Sequence, residues 1–315
     1  MFKRLFGPRN AKPVLQMPKI FQVEVFAGCD LKCPLCHAGR KELDRDTKFL
    51  SLDNFKKIFD KIQPHAELLY LHIWGEPTLN KHLIEMIRYV SRNSPGCVTN
   101  VSTHGNGLSR DYIYELIESG LSQLIFSIDG ISQETYEQYR IGGRFDEAYE
   151  ALKSASEIKT QLGSSIAIFA QCIQMKQTIE DVEQYKLMMG LPGVLPLIKP
   201  LYIGGYGVDY EKFIADGCEI QSPTLSSCTA LSDVLAIQAD GQIIPCCLYP
   251  ALANGFDLGS IFDMSLEDLM LNRDRMRMRD SIESGIAPTE VCARSCGSKQ
   301  GERSESSVKP VSFKK

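Results

Sequence analysis

The pattern of hydrophobic and polar positions changes period repeatedly along the first two thirds of the chain. Short apolar runs typical of buried strands alternate with longer stretches that carry apolar residues at helical spacing. The predicted strands cover residues 20–27, 68–74, 97–102, 123–128, 166–173 and 195–203. The predicted helices cover residues 51–63, 80–93, 109–119, 145–160 and 178–189. This alternation predicts an α/β fold with a parallel sheet and right-handed crossovers.

Local signals mark the ends of several of these helices. Ser51 and Ser109 are suited to N-caps, since a serine hydroxyl accepts a hydrogen bond from a free N–H of the first turn. Gly120 is suited to end a helix. Thr178 with Asp181 is typical of a variant capping box.

Six strand–helix units are too few for a closed eight-stranded barrel. After them, residues 204–227 are rich in glycine, proline and serine and are typical of a linker. A cysteine-bearing region follows, and the end of the chain is polar. The pattern therefore predicts an N-terminal tail over 1–17, a core over 18–210, a small cysteine-rich domain over 211–300 and a disordered tail over 301–315.

Charge and composition exclude some classes of protein. A formal net charge of -4 over 315 residues gives no sign of a nucleic-acid-binding surface. No apolar run approaches the length of a membrane span, and the N-terminal residues lack the apolar core of a secretory signal. We therefore expect a cytoplasmic protein with neither a nucleic-acid nor a membrane partner. Eleven cysteines in a reducing compartment indicate metal binding rather than disulfides.

Three cysteines lie directly after the first predicted strand, as Cys29, Cys33 and Cys36 in a Cys-x3-Cys-x2-Cys run. Three thiolates can hold three irons of a 4Fe-4S cluster and leave the fourth iron open to a small molecule. Half of a zinc site and a disulfide set are alternatives. A zinc site needs a fourth ligand, and the neighbouring His37 is poorly placed to be one.

This run resembles the radical S-adenosylmethionine (radical SAM) superfamily. The resemblance implies a partial (β/α)6 barrel that is open on one side. It also implies that the open iron binds the amino and carboxylate groups of S-adenosyl-L-methionine. One electron then releases a 5′-deoxyadenosyl radical, so an external donor similar to flavodoxin or ferredoxin is implied as a partner.

Later segments resemble the parts of this family that bind the cofactor. Gly75, Glu76 and Pro77 are similar to the Gly-Glu-Pro segment that binds the methionine amino group. Ser102 lies in a segment similar to the family's Thr-Asn-Gly loop, and it is implied to bond the carboxylate or the ribose. His104 replaces the usual asparagine of that loop and is either a structural residue or a catalytic base.

Two more segments complete the implied cofactor site. Ser127 and Asp129 lie in a segment that resembles the family's Ser-Ile-Asp-Gly strand end. Ser127 is implied to contact the ribose, and Asp129 to contact cofactor or substrate, although Asp129 also suits a turn before glycine. Arg140, rather than Arg144, matches the family's arginine that pairs with the cofactor carboxylate, with a solvated surface arginine as the alternative.

A second group of cysteines lies near the C-terminus. Asp240 and Gly241 predict a hairpin turn that leads to Cys246 and Cys247, and residues 265–280 predict a helix. The region resembles the SPASM/Twitch appendage of radical SAM enzymes, in the Twitch form with one auxiliary 4Fe-4S cluster. That resemblance implies four thiolate ligands, which are Cys228, Cys246, Cys292 and Cys296. A structural zinc site with the same ligands is the alternative.

Cys247 has three possible roles: a substitute ligand, a buried residue or a catalytic hydrogen-atom donor to a substrate radical. A donor thiol would give epimerisation, whereas an auxiliary cluster that accepts the electron of the substrate radical would give oxidation. The loop from Tyr202 to Tyr210 is expected at the mouth of the barrel, where it would contact substrate.

The resemblance implies an oxidoreductase that removes hydrogen from a substrate C–H bond. Only 28 residues precede Cys29, which is short for a leader-peptide-binding domain. The cysteine spacing is also similar to that of one-cluster carbohydrate dehydrogenases. We therefore expect a small polar substrate, similar to a carbohydrate or aminocyclitol. The alternatives are a ribosomal-peptide-modifying maturase and a non-catalytic iron–sulfur or zinc protein.

Overall fold

The computed structural model describes residues 15–43, 48–202, 209–218, 220–221, 224–248 and 256–296. Its strands are β1 (Ile20–Val23), β2 (Leu68–Tyr70), β3 (Val98–Thr103), β4 (Gln123–Ser127), β5 (Ala167–Ile173), β6 (Val194–Lys199), β7 (Leu201–Tyr202), β8 (Ile220–Gln221), β9 (Val234–Ile237) and β10 (Ile243–Ile244). Its helices are α1 (Leu52–Ile62), α2 (Leu83–Asn93), α3 (Arg110–Glu118), α4 (Gln133–Glu137), α5 (Phe145–Leu162), α6 (Val182–Met189), α7 (Leu266–Met270), α8 (Arg273–Glu283) and α9 (Glu290–Cys296).

One sheet organises most of the described chain. Its strand order is β10-β9-β1-β2-β3-β4-β5-β6. The six strands from β1 to β6 pair in parallel with their sequence neighbours. The predicted parallel α/β sheet with helical crossovers is thereby confirmed, and it places the carboxyl ends of six strands at one edge.

The two faces of the sheet differ in chemistry because side chains alternate along each strand. One face packs on the helices and is fully buried, for example at Phe21, Leu69 and Phe126. Serine caps fix where those helices begin. Ser51 accepts a hydrogen bond from the Asn54 N–H, and Ser109 one from the Tyr112 N–H. Both predicted caps are confirmed.

The cysteine-rich region extends the same sheet. β9 pairs in parallel with β1, and β10 returns antiparallel to β9. Gly241 has a φ of +86° at the turn between them, so the predicted hairpin is confirmed. The domain boundary near residue 210 stays a prediction.

Two predictions about local structure are wrong. Residues 265–280 form two helices, α7 and α8, because Asn272 caps the second by accepting from the Asp274 and Arg275 N–H groups. Thr178 does not cap α6. Its hydroxyl donates to the Ile173 carbonyl instead, and a 3-10 turn over 179–181 precedes the helix.

Both predicted tails lie largely outside the described residues. Of the N-terminal segment 1–17, the structure describes only 15–17, where Leu15 and Met17 pack against the core. None of the helices in the described part of the chain combines the length and the apolar composition needed to cross a bilayer.

Candidate active site and metal centres

Cys29, Cys33 and Cys36 lie on the loop that follows β1. The Cys36 N–H donates to the Cys33 carbonyl at 3.1 Å, which closes a tight turn between two of the thiols. Burial raises the pKa of Cys29, and the neighbouring thiol of Cys33 adds to this shift. Burial also raises the pKa of Cys33, to which the thiol of Cys36 adds. Thiols placed this close together suit a cationic group, because bound metal deprotonates its thiol ligands.

The loop after β2 packs directly on this cysteine loop. The Glu76 N–H donates to the Gly28 carbonyl at 2.7 Å. Gly75 has a φ of +92°, and a Cβ at this position would collide with the carbonyl oxygens of Phe26 and Gly28. Only glycine allows this approach, so Gly75 brings the predicted ammonium-binding segment against the predicted cluster loop.

The carboxylate of Glu76 is buried and well held. One oxygen accepts from the N–H and the hydroxyl of Thr78, at 3.1 and 2.7 Å. The other accepts from the His104 N–H at 3.0 Å. Pro77 begins the 3-10 turn that carries Thr78. The second oxygen also lies 3.3 Å from Nε2 of His104, and together these contacts orient Glu76 beside the cysteine loop.

His104 joins the loop after β3 to the cysteine loop. Its Nδ1 accepts from the Asn106 N–H at 3.1 Å, so the proton of the neutral ring is on Nε2. That nitrogen lies 2.9 Å from a carboxylate oxygen of Asp30, and the bond lowers the pKa of Asp30. These contacts support the structural role of His104. Asp30 is a site residue that the sequence analysis missed, although it directly follows Cys29.

The ends of β3 and β4 bring the two predicted cofactor serines together. The hydroxyl oxygens of Ser102 and Ser127 lie 3.2 Å apart. The face of the sheet opposite the helices, its inner face, therefore carries a pair of hydroxyl groups.

Asp129 uses both carboxylate oxygens within the protein. One accepts from the Ile173 N–H at 2.7 Å, and the other accepts from Nε and Nη2 of Arg140, each at 2.6 Å. Asp129 is fully buried. Its geometry is that of a residue that orients Arg140 and ties β4 to β5, rather than of a group open to a ligand.

Arg140 links this ion pair to the cluster loop. Its Nη1 lies 3.9 Å from the Cys33 sulfur, and its guanidinium lies 5.3 Å from the centre of the Tyr139 ring. Burial alone would lower the pKa of Arg140, but Asp129 and Cys33 hold that pKa well above the usual range. Arg144 instead pairs with Glu147 at the surface, so the structure brings Arg140, and not Arg144, to the site.

The four cysteines predicted to bind the auxiliary cluster lie near one another, although they come from distant parts of the chain. Desolvation raises the pKa of Cys296 to about 12, and Cys292 and Cys228 add to the shift. Burial raises the pKa of Cys246, to which Cys292 and Cys296 also contribute. Although these cysteines come from three distant segments, their thiols are electrostatic neighbours, which fits a centre with four thiolates.

Two further residues lie beside these thiols. Cys247 is exposed, and it contributes to the raised pKa values of Cys246 and Cys296. Burial raises the pKa of Tyr202, and the neighbouring thiols of Cys296, Cys247 and Cys246 raise it further. The predicted substrate loop thus begins at the auxiliary cysteines, while its residues 203–208 lie outside the described part of the chain.

Comparison with known proteins agrees with this geometry. Residues 23–184 match the family model of the radical SAM superfamily, and residues 228–297 match that of an iron-sulfur cluster-binding domain, SPASM. A PqqA peptide cyclase from Bradyrhizobium diazoefficiens is 30% identical over 125 residues, which are 40% of this chain and 32% of that protein. The chain thus matches about a third of the length of this relative.

Solved structures share the fold. SuiB from Streptococcus suis, bound to its precursor peptide SuiA, has a TM-score of 0.65 at 15% identity, over 90% of this chain and 70% of that one. BtrN in complex with AdoMet and 2-DOIA has a TM-score of 0.57 at 17% identity, over 85% of this chain and 87% of that one.

Proteins with these two domains use S-adenosyl-L-methionine, a core 4Fe-4S cluster and auxiliary iron–sulfur clusters as cofactors. Since the first model matches about half of the chain, the protein belongs to the radical SAM superfamily and carries a C-terminal SPASM-type cluster domain.

Proposed function

We propose that this radical SAM enzyme removes a hydrogen atom from a C–H bond of a peptide, and that its auxiliary cluster accepts the electron of the resulting substrate radical. The observation that supports a peptide substrate is the 30% identity with a peptide cyclase over 125 residues. The hydrogen atom goes to the 5′ carbon of the cofactor fragment. The substrate radical then loses one electron to the auxiliary cluster and one proton, so the substrate is oxidised by two electrons.

The core cluster supplies the one-electron cleavage of S-adenosyl-L-methionine. Cys29, Cys33 and Cys36 are the proposed ligands, and their convergence after β1 supports this. Glu76 is proposed to accept from the methionine ammonium, and Arg140 to bind its carboxylate. Ser102 and Ser127 are proposed to bond the ribose.

Cys228, Cys246, Cys292 and Cys296 are the proposed ligands of one auxiliary 4Fe-4S cluster. Zinc–sulfur bonds of about 2.3 Å in a tetrahedron would bring four thiols within roughly 3.8 Å of one another. Among the described residues, these cysteines form no group with ligand atoms within 4.8 Å, whereas Cys29, Asp30 and His104 do. A structural zinc site with the same four ligands stays the alternative, and metal analysis decides between the two.

A small polar substrate is the second candidate. The inner face of the sheet favours it, because Gln22, Tyr70, Asn100 and Gln123 lie in one row across β1 to β4. Such side chains suit a ligand rich in hydroxyl groups.

The first test is iron and sulfide content after anaerobic reconstitution, paired with 5′-deoxyadenosine formation under dithionite. We expect about eight irons per chain, for two four-iron clusters, and steady cofactor cleavage. Cys228→Ala should retain about four irons and still cleave the cofactor, while Cys97→Ala, which removes a buried thiol of the core, keeps all eight. Absence of 5′-deoxyadenosine with the core cluster intact would overturn the proposal.

A second test separates the two substrate classes. A deuterated cell extract is divided by dialysis, and each fraction is given to the reconstituted enzyme. If the substrate is a peptide, the retained fraction should transfer deuterium to 5′-deoxyadenosine. Protease treatment of that fraction should abolish the transfer. Transfer from the dialysable fraction would favour the small polar substrate instead.

A further inference from the structure

Asp30 places a carboxylate beside the sulfur of Cys29, one of the proposed ligands of the core cluster. The Cys29 Sγ lies 3.8 Å from Oδ1 of Asp30, and the thiol of the metal-free protein donates to this oxygen. A thiolate that binds iron has lost the proton for this bond. The loaded enzyme therefore carries two like charges on neighbouring residues, and these repel each other. A further contact is needed to keep the Asp30 carboxylate next to the sulfur.

His104 provides that contact from the loop after β3. Its Nε2–H donates to the same oxygen of Asp30 at 2.9 Å. The proton stays on this nitrogen because Nδ1 accepts from the Asn106 N–H at 3.1 Å. The His104 side chain is only 4% exposed, so little water competes for the bond. Ligand atoms of Cys29, Asp30 and His104 lie within 4.8 Å of one another, and the proton on Nε2 makes this a hydrogen-bonded group rather than a site for a further metal ion.

The charges around Cys29 agree with this geometry. Burial raises the pKa of Cys29, and the carboxylates of Glu76 and Asp30 raise it further. Both carboxylates therefore oppose negative charge on this sulfur. His104 also holds Glu76, since its backbone N–H donates to Oε2 of Glu76 at 3.0 Å and its Nε2 lies 3.3 Å from that oxygen. One histidine thus keeps two carboxylates on the Cys29 side of the cluster loop.

The two carboxylates differ in what offsets their charge. In the proposed function, the ammonium of the cofactor pairs with Glu76. The cation of the site, Arg140, lies near Cys33 instead, with Nη1 3.9 Å from that sulfur. The bond to Asp30 comes from the neutral ring of His104, so it orients the carboxylate without neutralising it. Water screens part of the Asp30 charge, because this side chain is 53% exposed.

We propose that Asp30, held in place by His104, lowers the reduction potential of the core cluster. A negative charge beside an iron–sulfur cluster opposes the arrival of an electron, so the reduced cluster becomes a stronger electron donor. His104 acts through Asp30 and is a positioning residue. The inference rests on the proposed function, because it takes Cys29 as a ligand of that cluster.

The test is a redox titration of the reconstituted enzyme without S-adenosyl-L-methionine, followed by the electron paramagnetic resonance signal of the reduced core cluster. That signal is identified as the one that Cys33→Ala lacks. Asp30→Asn keeps the size of the side chain and removes its charge. At a fixed potential, we expect its ratio of reduced to oxidised core cluster to rise about ten-fold, or about 59 mV for one electron. Glu67→Gln removes an exposed carboxylate directly before β2 and should change nothing.

Substitutions of His104 decide whether it acts through Asp30. His104→Leu removes the N–H donor and should raise the potential in the same direction as Asp30→Asn. His104→Gln, whose amide can still donate, should stay closer to wild type. The double variant Asp30→Asn/His104→Leu should shift no further than Asp30→Asn alone. A wild-type potential in Asp30→Asn or in His104→Leu, or additive shifts in the double variant, would overturn the proposal.

A second measurement covers a variant that fails to assemble the cluster. The full chain before reconstitution is alkylated in parallel with anionic iodoacetate and neutral iodoacetamide, and peptide mass spectrometry gives the rate at Cys29. The ratio of the two rates cancels the ionisation of the thiol itself. Asp30→Asn should raise this ratio about three-fold, because the anionic reagent meets less repulsion; an unchanged ratio would also overturn the proposal. Iron content and 5′-deoxyadenosine formation report separately on the proposed function.

Discussion

Nε and Nη2 of Arg140 both donate to the same carboxylate oxygen of Asp129, each at a distance of 2.6 Å. The pair lies beside the cysteine loop, with Nη1 of the arginine directed at the Cys33 sulfur. Asp129 therefore orients Arg140, and we expect it to act on the proposed cofactor site through Arg140.

The change Asp129→Asn should raise the KM for S-adenosyl-L-methionine by about ten-fold or more, with a smaller loss of kcat. Breaking a buried ion pair leaves its partner uncompensated, which costs about 3–5 kcal/mol. The measurement is cofactor cleavage together with the midpoint potential of the core cluster, which a merely structural change would not shift. Arg144→Gln removes an exposed arginine and is the control. An unchanged KM in Asp129→Asn would contradict this role.

Gly75→Ala should prevent assembly of the core cluster. The added Cβ would collide with two carbonyl oxygens of the cysteine loop and would be strained at a φ of +92°. Gly142→Ala is a matched control, because Gly142 also has a positive φ, +85°, but a Cβ there would meet open space. We expect it to lose only about 1 kcal/mol of stability. Iron content and thermal unfolding report both effects, and equal iron content in the two variants would refute the steric argument.

Lys61→Ala should loosen the cysteine-rich region from the core. The Lys61 ammonium donates to the carbonyls of Ile261 and Met264, at 2.5 and 3.0 Å, and so ties α1 to a loop 200 residues later. Loss of these charge-assisted bonds should cost about 2 kcal/mol. Hydrogen exchange of the 256–270 backbone should quicken, while that of β3 stays the same. The ammonium of Lys57 donates to Asn54 within its own helix, so Lys57→Ala should leave both unchanged.

His72 should make the fold sensitive to mild acid. Its pKa falls from 6.5 to about 4 on folding, so the unfolded chain binds the proton first as the pH drops. His72 therefore leaves the free energy of unfolding almost unchanged above pH 6.5, and it lowers that free energy increasingly as the pH falls from about 6.5 to 4. At pH 5.5 this loss amounts to about 1.4 kcal/mol. Denaturant unfolding at pH 7.5 and 5.5 should show a smaller difference for His72→Gln than for wild type; an equal difference would exclude this contribution.

Cys246→Ser and Cys247→Ser should differ although the residues are adjacent. Cys247 is exposed whereas Cys246 is not, and Cys246 alone of the two is packed against the hydrophobic core. Cys246→Ser should lose about four irons, one four-iron cluster, and Cys247→Ser should keep them. Iron analysis and the spectrum of the second cluster check this. Loss of iron in Cys247→Ser alone would make Cys247 the ligand.

Much of the core could be predicted from sequence because its signals are local. Ser51 and Ser109 cap within one helical turn, and the turn at Gly241 needs only a positive φ. The prediction of one helix over 265–280 failed at Asn272, whose side chain restarts the helix. Asparagine is suited to both caps and helix surfaces, so only its contacts decide.

The sequence by itself determined the alternation of strands and helices, the chemistry of the Cys29 loop and the proximity of the Glu76 segment to a strand end. These follow from local spacing and from the rule that parallel strands end at one edge. Only the tertiary structure decided that Asp129 binds Arg140, that His104 binds Asp30, and that the hydroxyl groups of Ser102 and Ser127 lie together. Such relationships depend on the curvature and register of the sheet, which are set by the packing of the whole chain and are not encoded in any short segment.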